Sequence, residues 1–136
     1  MAAGLRAQLL AGIAAGVAGA ILFDAFEFAT HSAAYANPAA PAVGVVLHFL
    51  VSIGWACGYV YLTRSAPQLL SQPWLSGAGF GLVVYVFMQV VLLAGGVYHR
   101  PATPGALGNA LVAHILFFGI PVALVAAQLL HRPARA

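Results

Sequence analysis

The sequence contains very little charge of either sign. Lysine is absent, arginine occurs five times, and the only acidic residues are Asp24 and Glu27. Charged residues make up 5% of the chain and hydrophobic residues 63%, whereas soluble domains carry about 25% charged residues. Together with a mean hydropathy of +1.00, this composition excludes an ordinary soluble domain and indicates a protein embedded in the lipid bilayer.

Cysteine and the common catalytic motifs are also scarce. Cys57 is alone, so the chain forms no internal disulfide and carries no cysteine-based metal motif. The net charge of +3 comes without a basic stripe interleaved with aromatic residues, so we expect no nucleic-acid partner. A nucleophile elbow, a phosphate-binding glycine loop and a dinucleotide fingerprint are missing. No catalytic residue is therefore identified, and enzymatic activity stays open.

Long apolar runs are the main feature that is present. Four of them reach the length of about 20 residues that a helix needs to cross a bilayer core, and short connections with Gly, Pro and Ser separate them. We therefore predict an all-α, polytopic membrane protein whose single domain, residues 1–136, is an up-down bundle of four transmembrane helices. The predicted spans are Leu5–Ala29, Ala42–Leu62, Trp74–Gly96 and Leu107–Leu130.

The first span also has features of a signal peptide. Arg6 precedes an apolar region that contains several small residues. The apolar run nevertheless continues through Phe23 into the acidic stretch, beyond the length of a signal-peptide core. We therefore expect this helix to be retained as the first membrane span.

The arginines predict the orientation of the bundle. In a chain with four spans, the two termini and the second connection lie on one side of the membrane. That side carries Arg6, Arg64, Arg132 and Arg135, and the opposite side carries Arg100. Because arginine accumulates in cytoplasmic loops, we expect both termini to lie in the cytoplasm.

Small residues four positions apart predict which helix faces pack together. Such stripes let helices approach closely in lipid, so we expect them to face the inside of the bundle. Pro121 is expected to bend the fourth span. The stripes are Gly12, Gly16, Ala20 and Asp24 in the first span, and Gly77, Gly81, Tyr85 and Gln89 in the third.

Five polar side chains from all four spans fall at similar depths. In an up-down bundle, the ends of the first and third spans meet the beginnings of the second and fourth. A rise of about 1.5 Å per residue places these side chains roughly 10 Å below the non-cytoplasmic surface, with Glu27 about one turn shallower. Each such group costs about 3 kcal/mol to insert, so we predict a shared polar site. Its members are Asp24, Glu27, His48, Gln89 and His114.

The donor atoms of this set suit a metal ion. Carboxylate and imidazole ligands bind Zn, Fe, Mn or Cu without thiolate. We expect one metal ion, with Glu27, His48 and His114 as ligands. Asp24 and Gln89 then serve as further ligands or hold the ligands in place.

Three other hypotheses stay open. His48 and His114 on two helices are also a pair that can ligate haem b. Asp24, Glu27 and the histidines can form a proton relay without a metal. Alternatively, the cluster only joins helices, as in a structural or accessory subunit of a membrane complex. Besides the lipid bilayer, the partner is then another membrane subunit or a second copy in a homo-oligomer.

Four segments resemble the YagU-like bacterial inner-membrane proteins. They are "GIAAGVAGAILFDAFE", "HFLVSIGWACGYVY", "WLSGAGFGLVVYVFMQ" and "HILFFGIPV". The resemblance implies a bacterial inner-membrane location, a link with acid tolerance, and functional residues at Glu27, His48 and His114. Where this chain has Gln89, the family has a histidine. Where this chain has Asp24, the family has a residue that is not acidic. It therefore favours Glu27 over Asp24 as a ligand, and it implies no established activity.

Overall fold

Helices dominate the computed structural model, which describes residues 4–31, 39–96 and 103–130. Within these ranges there is no strand, and the fourth span consists of three consecutive helical segments, the middle one a π-helix. The elements are α1 (Leu5–His31), α2 (Ala39–Leu62), α3 (Gln68–Ser71), α4 (Pro73–Ala94), α5 (Pro104–Val112), the π segment (Ala113–Gly119) and α6 (Ile120–Leu130).

Four helical stretches are long and apolar enough to cross a membrane, which confirms the predicted all-α, four-span architecture. They are Leu5–Thr30, Gly44–Leu62, Pro73–Ala94 and Pro104–Leu130. The chain is a multi-pass membrane protein. Arg100, Arg132 and Arg135, on which the predicted orientation partly depends, lie outside the described residues.

Several helix ends differ from the predicted spans by one to three residues, and two of these differences have a local cause. α4 ends at Ala94, two residues early, because Gly96 adopts the left-handed conformation with φ 66°, which terminates a helix. The fourth span begins three residues early, at Pro104, which occupies the first helical turn. The hydroxyl of Thr103 caps it by accepting a hydrogen bond from the N–H of Ala106 at 3.2 Å.

The packing order of the spans leaves α2 and α4 apart. α1 packs against α2 and against the fourth span, and α4 in turn packs against the fourth span. α2 and α4 approach each other mainly through aromatic rings. The ring centroids of Trp55 and Phe87 are 5.1 Å apart, and those of Tyr59 and Phe80 are 4.9 Å apart. A gap remains between α2 and α4 beside these rings.

The small-residue stripe of α1 forms its contact with α2. Gly12, Gly16 and Ala20 are buried, which confirms the predicted orientation of this face. A Cβ atom on Gly16 would lie 2.5 Å from the Cα of Ile53, so the two helix backbones touch here. The same face carries Asp24 toward α2.

Gly77 and Gly81 of α4 make the corresponding contact with the fourth span. A Cβ atom on Gly77 would lie 2.7 Å from the Cα of Ile120, and one on Gly81 would overlap the backbone carbonyl of His114. Both glycines are buried, as the stripe predicts. This contact fixes the height of His114 relative to α4, which carries Gln89.

The distortion predicted at Pro121 takes the form of the π segment. The N–H of Ile120 donates to the carbonyl of Ile115, five residues back instead of four. Pro121 follows directly and has no N–H with which to continue the hydrogen-bond ladder. The wide turn therefore lies just before Pro121, and it contains His114.

Hydroxyl groups tie α2, α3 and α4 together where α2 ends. The Tyr59 hydroxyl lies 2.9 Å from the Ser76 hydroxyl, which donates to the carbonyl of Leu69 at 2.7 Å. Tyr59 is among the largest fully buried side chains of the described residues. This network fixes the spacing of α2 and α4 at one end, and the gap between them opens beyond it.

Candidate functional site in the gap between α2 and α4

A cavity of about 250 Å³ occupies the gap between α2 and α4, and α1 and the fourth span form its remaining walls. Most of its lining is aliphatic or aromatic. The polar side chains in the lining are Glu27 from α1, His48 and Ser52 from α2, Gln89 from α4 and His114 from the π segment. The structure thus brings four of the five predicted site residues to one cavity, and every span contributes a polar group.

Asp24, the fifth predicted residue, lies behind His48 and outside the cavity lining. Its Oδ1 is 2.7 Å from Nδ1 of His48, and both side chains are 26% exposed. The ring N–H does not point along the line between these atoms, so the pair is a close electrostatic contact without the alignment of a hydrogen bond. Asp24 therefore reaches the cavity only through the imidazole of His48.

The second carboxylate oxygen of Asp24 has no hydrogen-bond partner among the described residues, although it is buried. An unsatisfied buried acceptor costs roughly 1–3 kcal/mol, and more when it is charged. Native folds rarely leave such groups unpaired outside functional or strained sites. The unpaired oxygen of Asp24 therefore lowers the stability of the fold.

The other ring nitrogen of His48 is directed toward Ser52. Nε2 lies 3.3 Å from the Ser52 hydroxyl, and Ser52 is 2% exposed. Because a carboxylate lies beside Nδ1, the neutral ring carries its proton there, and Nε2 accepts from the hydroxyl. His48 thus presents a lone pair at Nε2, on the side of the ring that faces the cavity-lining Ser52.

His114 also has Nδ1 beside an oxygen atom, here in a hydrogen bond. Its Nδ1 is 2.7 Å from the carbonyl oxygen of Ala110, one turn earlier in the fourth span. A carbonyl only accepts hydrogen bonds, so Nδ1 is the protonated nitrogen of the neutral ring. Nε2 of His114 is therefore also a lone-pair donor for a ligand. The aromatic ring of Tyr85 lies 5.6 Å away, centroid to centroid.

Phe23 contacts both imidazoles. Its ring centroid is 4.5 Å from that of His48 and 4.8 Å from that of His114, the latter in an edge-on arrangement. This residue was not expected at the site. In the sequence it is one apolar residue of an apolar span, so nothing distinguishes it from a lipid-facing side chain.

Glu27 is joined to the fourth span. The side-chain amide of Asn109 donates to Oε1 of Glu27 at 3.1 Å and to the hydroxyl of Thr30 at 3.3 Å. Asn109 was also not expected at the site, although an amide inside an apolar span five residues before His114 was a usable signal. Glu27 therefore both lines the cavity and links α1 to α5.

The predicted metal ligands line the same cavity but do not surround one point. In the part of the chain that the structure describes, no group of three or more His, Cys, Asp or Glu side chains lies close enough to hold a metal ion. Glu27 is turned toward Asn109, and Phe23 lies against both imidazoles. A metal ion held by Glu27, His48 and His114 therefore requires new rotamers.

The arrangement combines two nitrogen lone pairs, a carboxylate and an amide within an otherwise apolar cavity. It can accept hydrogen bonds, take up protons or ligate a metal ion. No protein-family model, curated protein or solved structure matches this chain.

Proposed function

We propose that this multi-pass membrane protein binds a divalent or transition metal ion (Zn, Fe, Mn or Cu) in the cavity between α2 and α4. The ligands are Nε2 of His48, Nε2 of His114 and the carboxylate of Glu27. Asp24 orients His48, and Gln89 hydrogen-bonds to a ligand in the cavity. The proposal rests on the orientation of the two imidazoles. In each ring Nδ1 lies 2.7 Å from an oxygen atom, which leaves Nε2 to bind a ligand.

Histidines that ligate metals almost always have this arrangement. The ring nitrogen that does not bind the metal donates to a carboxylate or a backbone carbonyl, which fixes the tautomer and raises the basicity of the ligating nitrogen. The carbonyl of Ala110 fills this role for His114, and the Asp24 carboxylate lies 2.7 Å from the corresponding nitrogen of His48 without an aligned hydrogen bond. The two histidines lie on different helices and line one cavity.

Binding of the ion then brings together ligands that lie apart in the metal-free protein. Glu27 turns from Asn109 toward the imidazoles, and water or a substrate fills the remaining coordination positions. The ion also offsets the unsatisfied Asp24 carboxylate, because it places positive charge on the far side of His48. We expect a moderate affinity, since part of the binding free energy is used to rearrange the side chains.

A metal ion fits this cavity better than haem b does. The cavity volume is about 250 Å³, which is near the lower limit of the range of about 300–1,000 Å³ for small-molecule pockets and leaves no room for a macrocycle of four rings. Phe23 also packs against both imidazoles, in the space that a macrocycle between them requires.

The sequence supports a location for this site. The arginine distribution and the resemblance to YagU-like proteins favour the bacterial inner membrane with both termini in the cytoplasm. The cavity then lies in the periplasmic half of the bilayer. A metal site on that side, whose ligands also take up protons, is consistent with a link to acid tolerance.

Metal analysis of the purified protein tests the proposal. After loading with Zn²⁺ and removal of excess ion, we expect about one ion per chain in the wild type and at least tenfold less in the His48→Ala/His114→Ala variant. Gln128→Ala, at an exposed position of α6, is the matched control and retains the ion. Equal and negligible metal content in all three proteins contradicts the proposal.

A second function is favoured by the contacts between helices. Asp24 touches His48 across α1 and α2, and Glu27 is bonded to Asn109 across α1 and α5. In a structural or accessory subunit, these pairs join helices and bind nothing. Under that function, the double histidine variant loses thermal stability, while the wild type shows no ion-dependent rise in melting temperature.

A further inference from the structure

The apolar side chains that line the cavity have no role in metal binding. Its walls are Val51 and Trp55 from α2, Val84, Met88 and Leu92 from α4, and Phe118 from the π segment. A site for an ion alone needs no such volume of aliphatic and aromatic surface. This composition matches sites for small organic molecules, in which mostly apolar walls surround a few polar groups.

The cavity is open on the side where α2 and α4 are apart. Val51 lines it and is 41% exposed, in the middle of the second span. In a bilayer, an exposed side chain at this depth faces lipid tails and not water. A molecule dissolved in the membrane therefore reaches the cavity laterally, between the two helices.

The polar groups in the cavity suit an uncharged ligand that carries oxygen atoms. Nε2 of His114 accepts a hydrogen bond from a hydroxyl, and the Ser52 hydroxyl donates to a carbonyl when it turns from His48. The described arginines, Arg6 and Arg64, are exposed and do not line the cavity, so no cation is in place for an anionic ligand. Fatty acids and phospholipid headgroups fit this pattern poorly.

The size and the walls of the cavity favour a flat ring. Trp55, Phe23 and Phe118 contribute aromatic surface, against which a ring packs by stacking or edge-on contact. A volume of about 250 Å³ accommodates a single substituted ring. A longer hydrophobic tail remains in the lipid outside the opening beside Val51.

We propose that the cavity binds the headgroup of a membrane-soluble quinone or quinol, which enters from the lipid between α2 and α4. The ring packs against Trp55, a quinone carbonyl accepts a hydrogen bond from the Ser52 hydroxyl, and a quinol hydroxyl donates to Nε2 of His114. This inference does not require the proposed metal ion, because the ring packs against the apolar walls and pairs with side chains of the metal-free protein. His114 is shared by the two proposals, so the test is carried out without metal. No electron transfer is implied.

The two tryptophans make the test direct, since quinones quench indole fluorescence at short range. Trp74 is 65% exposed at the start of α4 and does not line the cavity, so Trp74→Phe leaves Trp55 as the only reporter. Decylubiquinone is titrated into this variant in lipid nanodiscs that contain EDTA. We expect saturable quenching, whereas the Trp55→Phe protein, which reports from Trp74, shows only a linear, collisional response.

Three further variants in the Trp74→Phe background test whether the ligand lies in the cavity. Ala110→Phe fills the cavity and abolishes saturable quenching, and Ala14→Phe, the same change at an exposed position of α1, retains it. Ser52→Ala is a milder change and weakens binding about threefold to tenfold, because one hydrogen bond is lost. Equal linear quenching of Trp55 and Trp74 overturns the inference. Quinone binding that neither Ala110→Phe nor Ser52→Ala changes overturns it as well.

The same titration separates this inference from the metal proposal. Saturable quenching in EDTA supports quinone binding even when metal analysis finds no ion. Conversely, a bound ion without saturable quenching supports the metal site and overturns the quinone inference. Quenching of Trp55 by lipids with brominated acyl chains that Ala110→Phe abolishes, together with only linear quenching by decylubiquinone, identifies a lipid tail as the occupant and overturns the inference as well.

Discussion

The imidazole of His48 stands between Asp24 and the cavity, with Nδ1 2.7 Å from the Asp24 carboxylate and Nε2 3.3 Å from the Ser52 hydroxyl. Asp24 on α1 therefore influences the cavity only through the imidazole of His48 on α2. The contact is possible because Gly12 and Gly16, about two to three turns before Asp24, bring the backbones of α1 and α2 together. Close helix packing thus positions the charged pair.

The Asp24–His48 contact predicts a measurable coupling energy. In a double-mutant cycle with Asp24→Asn and His48→Gln, we expect a favourable interaction of about 0.6 kcal/mol, the average for polar contacts between membrane helices, and at most about 1.7 kcal/mol. The free energy of unfolding is measured by reversible denaturation in mixed micelles. Asp24→Asn combined with Gln128→Ala is the control and should be additive, since these residues share no contact. Additivity in the first cycle contradicts the pairing.

Glu27→Gln separates the two roles of Glu27. The amide still accepts the hydrogen bond from Asn109 but provides no carboxylate for a metal ion. We expect a change in unfolding free energy below about 0.5 kcal/mol and a loss of metal affinity of at least tenfold, measured by titration calorimetry. Asn109→Leu gives the opposite pattern, with lower stability and retained metal binding. Unchanged metal affinity in Glu27→Gln removes Glu27 from the ligand set.

The contact of α4 with the fourth span predicts a strong effect of one added methyl group. A Cβ atom on Gly81 would overlap the backbone carbonyl of His114, so Gly81→Ala forces the helices apart. We expect it to destabilise the protein by about 1–3 kcal/mol. Gly79→Ala, with no neighbouring atom within 4 Å of the added Cβ, is the matched control. It should be neutral or slightly stabilising, and equal effects of the two substitutions contradict the described packing.

Much of the fold could be predicted from apolar length and small-residue spacing. The four spans follow from hydrophobicity alone, because the bilayer demands helices of a fixed length. The buried faces at Gly12 and Gly16 and at Gly77 and Gly81 follow from a spacing of four residues. Similar depth in the four spans, with Glu27 about one turn shallower, predicts that Glu27, His48, Gln89 and His114 meet, and all four line one cavity.

Other features depend on how helices are arranged side by side, which periodicity does not encode. Most residues of the chain are apolar, so the sequence does not indicate the gap between α2 and α4. For the same reason it does not indicate that Phe23 contacts both imidazoles. The π segment arises from two conditions at once, the missing N–H of Pro121 and the tight contact of Gly119 with Gly77. The sequence indicates a distortion there, but not its hydrogen-bond register.

Metal binding should weaken in acid. The ligating nitrogens of His48 and His114 must be unprotonated, so protons compete with the ion at both positions. Imidazole changes its charge between about pH 5 and pH 8, and we expect at least a tenfold loss of Zn²⁺ affinity between about pH 7.5 and pH 5.5. Competition with a chelator of known affinity at each pH measures the change. Equal affinity at both values contradicts imidazole ligation.

The predicted orientation places the connection between α2 and α4 in the cytoplasm, and a single cysteine tests it. Arg64 and Ser65 are exposed in this connection, and Cys57 is the only native cysteine. In the Cys57→Ala/Ser65→Cys protein, we expect a membrane-impermeant maleimide to label lysed but not intact bacterial spheroplasts, since Arg64 and the arginines near the termini favour the cytoplasmic side for this connection. The Cys57→Ala protein is the unlabelled control. Labelling of intact spheroplasts reverses the orientation and moves the cavity to the cytoplasmic half of the bilayer, where a link to periplasmic acid has no physical basis.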